Sequence, residues 1–379
     1  MSIDTILNEF SAVSAEPKAQ LNAYKAAGKK VIGVMPYYVP EELVYAAGMV
    51  PMGVWGCNNK TIVRAKEFCA SFYCSLIQLA LEMLMDGTLN GIDGIITPTM
   101  CDTLRPMSQN IKVAAGDKIP AIFLAHPQNR FSEFGKDFTV HQYTKVKKEL
   151  EKIAEAPITG EAIKNAIRIY NESRRVRREF VRLAGQHPEA VSAVKRSAVL
   201  KAAWFMLKDE YTEKLKILNE ELKNLPESDW DGVKAITSGI ICDNPALLEI
   251  FDRNRIAIAA DDVAHESRSF RTDVPENEDP MMALAEQFAD CGCDPVIYDN
   301  EQQKHLRTKH LFKMMRETGA KGMILFMTQF CDPEEMDYPY LKKDFEIAGI
   351  PLIKLGVDMQ MRDFGQISTS LQAFADMLN

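Results

Sequence analysis

"GMILFMTQFCDPEEMDYP", residues 322–339, decides how the chain is read. The apolar run from Gly322 to Met327 has the length and composition of a strand covered on both faces. It delivers Cys331, then Asp332, Pro333, Glu334 and Glu335, the residue types that start helices. Asp332 is expected as the N-cap and Pro333 as the first helical residue, with Glu335 closing a capping box. "GIITPTMCDTLRP", residues 94–106, repeats the arrangement, with Gly94 leading a strand and Cys101-Asp102 ending it. Each copy continues through a helix to an Ile-Pro pair that opens the next strand, Ile119-Pro120 in one and Ile350-Pro351 in the other. The two halves therefore read as copies of one plan.

Alternation extends outward from both. "KKVIGVM" (29–35), "MVPMGVWG" (49–56), "GIITPTM" and "IPAIFLAHP" (119–127) read as strands with helices between them. "VKAITSGII" (233–241), "IAIAADD" (256–262), "DPVIYD" (294–299), "KGMILFMTQ" (321–329) and "PLIKLGVD" (351–358) repeat the pattern later. Between them lie long charged helical stretches with no strand, closed by the turn-rich "LPESDWDG" (225–232). The fold class is α/β: two Rossmann-like parallel-sheet domains with an intervening, capping helical region. The expected divisions are 1–142, 143–228 and 229–379.

The 379 residues carry a net charge of −8. That balance disfavours nucleic acid or an anionic membrane surface as the main partner. No run approaches the roughly 20 apolar residues that span a bilayer. The start, "MSIDTILNEFSAV", lacks the basic and apolar regions of a secretory signal. A cytoplasmic location is expected, where the 8 cysteines would not form structural disulfides.

Ligands of parallel sheets sit beyond the carboxyl ends of the strands, and Cys101 and Cys331 both fall there. Each lies just outside a helix start, where the helix dipole favours the thiolate that binds metal. A third candidate comes from "CASFYCS", in which either Cys69 or Cys74 could face the same cleft; with Ser71 as N-cap, Cys74 would be the third helical residue. One such cysteine is more often a small buried hydrophobe, but two in mirrored contexts weigh towards a metal site. Cys57 and Cys242 read as packing residues, and the "CGC" at 291–293 as incidental. The basic run Arg174, Arg175, Arg177 and Arg178 reads most simply as a solvated helix face, otherwise as a surface for an acidic partner or phosphates. Glu42 reads as solvent-facing or capping, and His126 as capped or solvated. No P-loop, GxGxxG, HExxH or GxSxG pattern is present, which argues against ATP binding, a standard dinucleotide site and common hydrolase chemistry.

"GKKVIGVMPYYVPEELVYAAGMVPMGVWGC", "CASFYCS", "IITPTMCDTLRPMSQN", "FLAHPQNR", "AADDVAHESRSFRTD" and "FMTQFCDPEEMDYP" together resemble the smaller, β subunits of the 2-hydroxyacyl-CoA dehydratase family, most of all the hydroxyglutaryl type. Benzoyl-CoA reductase subunits are more distant relatives. The resemblance implies a lyase subunit that pairs with an α subunit and receives one electron from an ATP-dependent iron–sulfur activator. It implies a [4Fe–4S] cluster held by Cys74, Cys101 and Cys331, a small fourth ligand, and a flavin, FMN or another, at the level of the complex. Most of the 2-hydroxyacyl-CoA substrate would lie on the partner. The implied reaction adds one electron to the thioester, expels the C2 hydroxyl from a ketyl radical anion, removes the now acidic C3 proton and returns the electron. The alternatives are a lactoyl, phenyllactyl or isocaproyl substrate, a reductase, or a non-catalytic scaffold whose thiols hold zinc or nothing.

Overall fold

The protein is seen in a computed structural model that describes residues 2–35, 37–58, 60–116, 119–297 and 305–379. Two helices open the chain, α1 (Ile3–Ala15) and α2 (Pro17–Ala26), with Pro17 at the first position of α2, where its missing amide costs no helical hydrogen bond. The first sheet then assembles from β1 (Val31–Val34), β2 (Val50–Gly53), β3 (Gly94–Pro98) and β4 (Ala121–Leu124). Its helices are α3 (Glu41–Ala46), α4 (Ser75–Met85) and α5 (Leu104–Ala115). The strands run parallel in the order β2-β1-β3-β4.

The second sheet uses β5 (Val233–Gly239), β6 (Ile256–Val263), β7 (Gly322–Thr328) and β8 (Leu352–Val357), parallel and in the matching order β6-β5-β7-β8. Its helices are α10 (Pro245–Arg253), α12 (Leu306–Thr318), α13 (Asp332–Ala348) and α14 (Gly365–Leu378), while α11 (Pro280–Asp290) packs through Ala283 and Leu284 into the core of the first sheet. In each sheet the chain turns one way from its first strand and then crosses to the other side. A crevice therefore opens beyond the carboxyl ends of β1 and β3, and again beyond those of β5 and β7. β3 and β7 are buried at every position, which is why both read as unbroken apolar runs. Gly239 ends β5 at φ 142°, where an added Cβ would stand 2.5 Å from the Phe326 carbonyl oxygen of β7. Only glycine lets the two strands approach so closely there.

Four helices link the sheets: α6 (Glu133–Ala154), α7 (Gly160–Gln186), α8 (Ala193–Ala202) and α9 (Lys208–Lys223). Ser132, Thr159 and Ser192 cap the first three by accepting from the amides of Gly135, Ala162 and Lys195. α7 is the strut that joins everything. Its Ile163 and Ile167 complete a core with Ile96 and Ile122 of the first sheet and Tyr143, Val146 and Leu150 of α6. Further along, Val176, Phe180 and Leu183 close a second core with Ile6, Leu7 and Phe10 of α1 and Tyr211, Leu215 and Leu218 of α9. Near its end Gly185 lies so close to β6 that a Cβ would be 2.3 Å from the Ala259 carbonyl oxygen.

Several expectations change. α6 runs unbroken through residues 142 and 143, so the first sequence division falls inside a helix. The strand expected over 294–299 is absent at 294–297, which form a turn; residues 298 and 299 lie outside the described residues. The cause is Asp294, whose carboxylate accepts from the Val296 amide at 3.0 Å and from the hydroxyls of Tyr37 and Tyr38 at 3.1 and 2.7 Å. An Asx turn tied to the other lobe outcompetes a ladder. The basic run on α7 is only half solvated. Residues three apart share a helix face, and Arg174 and Arg177 face inward and are buried. Arg175 and Arg178 face outward and pair with Glu172 and Asp273. Glu42 does not face solvent either: it is buried and bonds to Arg174.

Candidate metal centre

Cys331 is itself the N-cap of α13, and Asp332 and Pro333 are the first two helical residues, one position earlier than expected. The Glu335 carboxylate reaches back to the Phe330 amide at 3.3 Å, closing the helix start as a capping box would. Phe330 adopts φ 63°, an unusual value for a bulky side chain, and so swings Cys331 off the end of β7. Cys74 is likewise the N-cap of α4 rather than its third residue. Cys101 stands two residues ahead of Thr103, the N-cap of α5. Asp102, expected to cap that helix, is exposed and lies 3.8 Å from Arg105.

At all three helix starts, backbone amides are turned towards sulfur. Leu76 and Ile77 favour the Cys74 thiolate, Thr103 and Leu104 that of Cys101, and Glu334 that of Cys331. Burial nevertheless wins. It pushes Cys74 up to about 12, raises Cys101, and lifts Cys331 well above the usual thiol range. The expected dipole effect is present but smaller than the desolvation of three half-buried sulfurs. Without metal the thiols are protonated at neutral pH, so metal loading must release protons.

The three thiols lie within electrostatic reach of one another. Cys331 feels the charge of both Cys74 and Cys101, and Cys74 that of Cys101. All three pack against the core beneath the first sheet. Cys69 stands apart: it is buried in that core, and burial alone pushes it up to about 11. Cys242 is buried and Cys57 half-buried, as packing residues should be. In the Cys291–Cys293 loop the Cys291 carbonyl accepts from Arg130, and the Cys293 thiol points to the Leu306 carbonyl at 3.8 Å.

Among the described residues no three His, Cys, Asp or Glu side chains converge closely enough to hold one ion. A single zinc needs all its ligands within about 2.0–2.3 Å of one point. An iron–sulfur cluster places each thiolate on a different iron and so asks for a wider triangle. Three thiols, each beside backbone amides, are a donor set of the kind such a cluster takes.

A buried charge network, which sequence reasoning missed, anchors the Cys331 helix. Glu334, fully buried in the first turn of α13, accepts from Arg268 at 3.0 Å and Arg307 at 3.1 Å. Both arginines also hold Asp262 at the end of β6, at 3.0 and 3.1 Å. Arg268 reaches the first lobe through the Tyr37 hydroxyl at 3.1 Å. Arg268, Arg307 and Arg271 overcome burial and hold the Asp262 carboxyl far below its usual range. "ADDVAHESRSFR" (260–271), acids and bases packed at the end of an apolar strand, carried a trace of this network. Arg307 carried none.

A cleft of about 910 Å³ opens beside the thiols, with Cys101, Asp102, Asp332, Met336 and Tyr340 on its walls. Met336 and Tyr340 are 72 and 68% exposed on it, an apolar patch on the cleft wall. His126 is neither capped nor solvated. Its ring lies 4.5 Å from that of Phe288, and burial holds it down at about 3.

A family model described as "2-hydroxyglutaryl-CoA dehydratase, D-component" matches residues 36–378. The chain belongs to this family. It is 58% identical, over the whole of both chains, to the "(R)-2-hydroxyglutaryl-CoA dehydratase, subunit beta" of Acidaminococcus fermentans. It is 43% identical to the "(R)-phenyllactyl-CoA dehydratase beta subunit" of Clostridium sporogenes, over 99% of each chain. It is 40% identical to the "Lactoyl-CoA dehydratase subunit beta" of Anaerotignum propionicum, also over 99% of each. The chain is thus a β subunit of the 2-hydroxyacyl-CoA dehydratase type, and a β subunit implies a partner. Among the described residues no helix is long and apolar enough to cross a membrane.

Proposed function

We propose that this chain is the β subunit of an oxygen-sensitive (R)-2-hydroxyglutaryl-CoA dehydratase and holds a [4Fe–4S] cluster through Cys74, Cys101 and Cys331. The observation that carries the reading is that three thiols from three separate segments and both lobes lie within electrostatic reach of one another, each beside backbone amides at a helix start. The hydroxyglutaryl substrate rests on the higher identity to the relative named for it than to those named for phenyllactyl or lactoyl substrates. One electron, stored or relayed, is the chemistry such a cluster supplies when bound.

The chain's own residues do the rest. Burial keeps the site dry, the amides at three helix starts offset thiolate charge, and the Arg268–Arg307–Glu334 network fixes the helix that presents Cys331. Three protein ligands leave one iron open to a small ligand. The α subunit, which carries most of the acyl-CoA, docks over the exposed apolar side chains of Met336 and Tyr340 on the cleft wall. An ATP-dependent iron–sulfur activator delivers the electron, in keeping with the absence of a P-loop, and any flavin belongs to the complex. Every described cysteine is free, in keeping with a reducing cytoplasm.

Iron and acid-labile sulfide analysis of the chain, purified with its partner under anoxia, tests the reading. About four irons per chain are expected. Cys74→Ser, Cys101→Ser and Cys331→Ser should each lose cluster iron, while Cys57→Ser, Cys69→Ser and Cys242→Ser should retain it. A colourless, iron-free chain that folds and still binds its partner would overturn the proposal in favour of a scaffold. A panel of 2-hydroxyacyl-CoA esters assayed on the reconstituted complex tests the substrate separately.

A further inference from the structure

A second cavity lies between the lobes, away from the thiols. It measures about 80 Å³ and is lined by Glu41, Glu42, Tyr170, Arg174, Arg177 and Lys208. By this measure one water needs about 10–15 Å³, so the cavity takes several waters or one compact molecule. It is far too small for a CoA ester or a flavin.

The charges around it do not balance. Lys208 bonds to Glu41 at 2.7 Å and to the Ala203 carbonyl at 2.6 Å. Arg174 is paired with Glu42. Arg177 has no carboxylate. Its Nε donates to the Ser173 carbonyl at a long 3.4 Å, and its face stacks on Phe270 at 4.7 Å. Among the described residues nothing accepts from its two Nη groups, although the residue is only 4% exposed. Burial lowers it to about 10, which still leaves it charged at neutral pH. Beside it the Arg174 Nε is buried without a partner. Arg268 and Asp294, on the same wall, pair with each other at 3.4 Å, so four cations face three carboxylates, and the odd one out is the Arg177 guanidinium.

An unpaired buried charge is costly. A planar fork of N–H donors matches the two oxygens of a carboxylate. One negative charge completes the set, whereas Glu41 and Glu42 would repel a dianion. We infer that this cavity is a binding site for a small monocarboxylate held by Arg177 of α7.

The site shares no residue with the thiols, so its test is independent of the cluster and works on iron-free, full-length protein. Formate, acetate, phosphate and chloride are titrated at matched ionic strength. The unfolding midpoint and isothermal calorimetry are the readouts. Formate or acetate should raise the midpoint saturably, and phosphate and chloride should not. Arg177→Met should weaken carboxylate binding by about 10–100-fold, and Arg177→Lys, which keeps the charge without the fork, should weaken it less. If Arg177→Met fails to fold, Arg177→Lys carries the comparison. No saturable response to either carboxylate would mean that the cavity holds only water and would overturn the inference. An undiminished response in both variants, or a response to phosphate alone, would overturn it as well.

Discussion

Replacing Arg268 with methionine removes the hub of the buried charges behind Cys331. Its guanidinium holds Asp262 and Glu334 at 3.0 Å and Asp294 at 3.4 Å. Arg271 and Arg307 supply the other positive charges, and Asp337, bonded to Arg307 at 2.5 Å, is the fourth carboxylate. Three guanidiniums therefore face four carboxylates. Without Arg268 the ratio becomes two to four, and Asp294 keeps only tyrosine hydroxyls and its own turn as direct partners. Breaking a buried pair from one side costs about 3–5 kcal/mol, and the upper half of that range is expected because three carboxylates lose a partner. Glu334→Gln works the other way. It evens the count and keeps an amide oxygen for the two arginines, so about 1–2 kcal/mol is expected. The gap, about 3 kcal/mol, exceeds a tenfold change in the folding constant. Urea unfolding of the metal-free chain at pH 7, followed by circular dichroism, measures it; urea leaves charges unscreened where guanidinium would not. Equal costs, or a larger cost for Glu334→Gln, would refute charge balance as the organising principle of this network.

Two further outcomes follow from burial and close approach. In the metal-free chain burial raises the native thiols of Cys74, Cys101 and Cys331, so they keep their protons above the unfolded value of about 8.5. As pH rises past that value the unfolded chain sheds protons that the native chain retains, so stability falls with pH from about 8.5 upward. Unfolding midpoints between pH 7 and 9.5 should show this, and the triple Cys→Ser chain should show a flatter profile; identical slopes would refute it. Gly185→Ala should cost about 1–3 kcal/mol, because its Cβ meets the β6 backbone rather than a movable side chain. Gly160→Ala, with nothing within 4 Å, should be neutral or slightly stabilising by the same urea assay.

Much of this protein is legible along the chain. The strands at Gly322 and Gly94 announce themselves because parallel strands covered on both faces must be apolar throughout. The repeated Gly-strand-Cys-Asp-helix-Ile-Pro order foretold two sheets, and their strand orders match. Helix starts were harder. Cys74 and Cys331 cap their own helices, and no sequence preference marks cysteine for that place. The strand expected at Asp294 failed because a carboxylate 257 residues away from Tyr37 in sequence finds that tyrosine's hydroxyl in space. Half of the basic run was misread because a helix's inward face is set by what packs on it, and α3 brings Glu42 there.

By itself, then, the order of residues determined the alternation of strands and helices, the doubled plan and the two cysteines at the strand ends, since each depends on local periodicity and on which residues begin a helix. Only the tertiary structure decided that Cys74 lies within electrostatic reach of those two while Cys69 is buried apart from them, that the sulfurs are desolvated enough to stay protonated, and that Arg177 is left without a counter-charge. Burial and electrostatic balance are sums over neighbours contributed by distant segments, and no local stretch of sequence contains that sum.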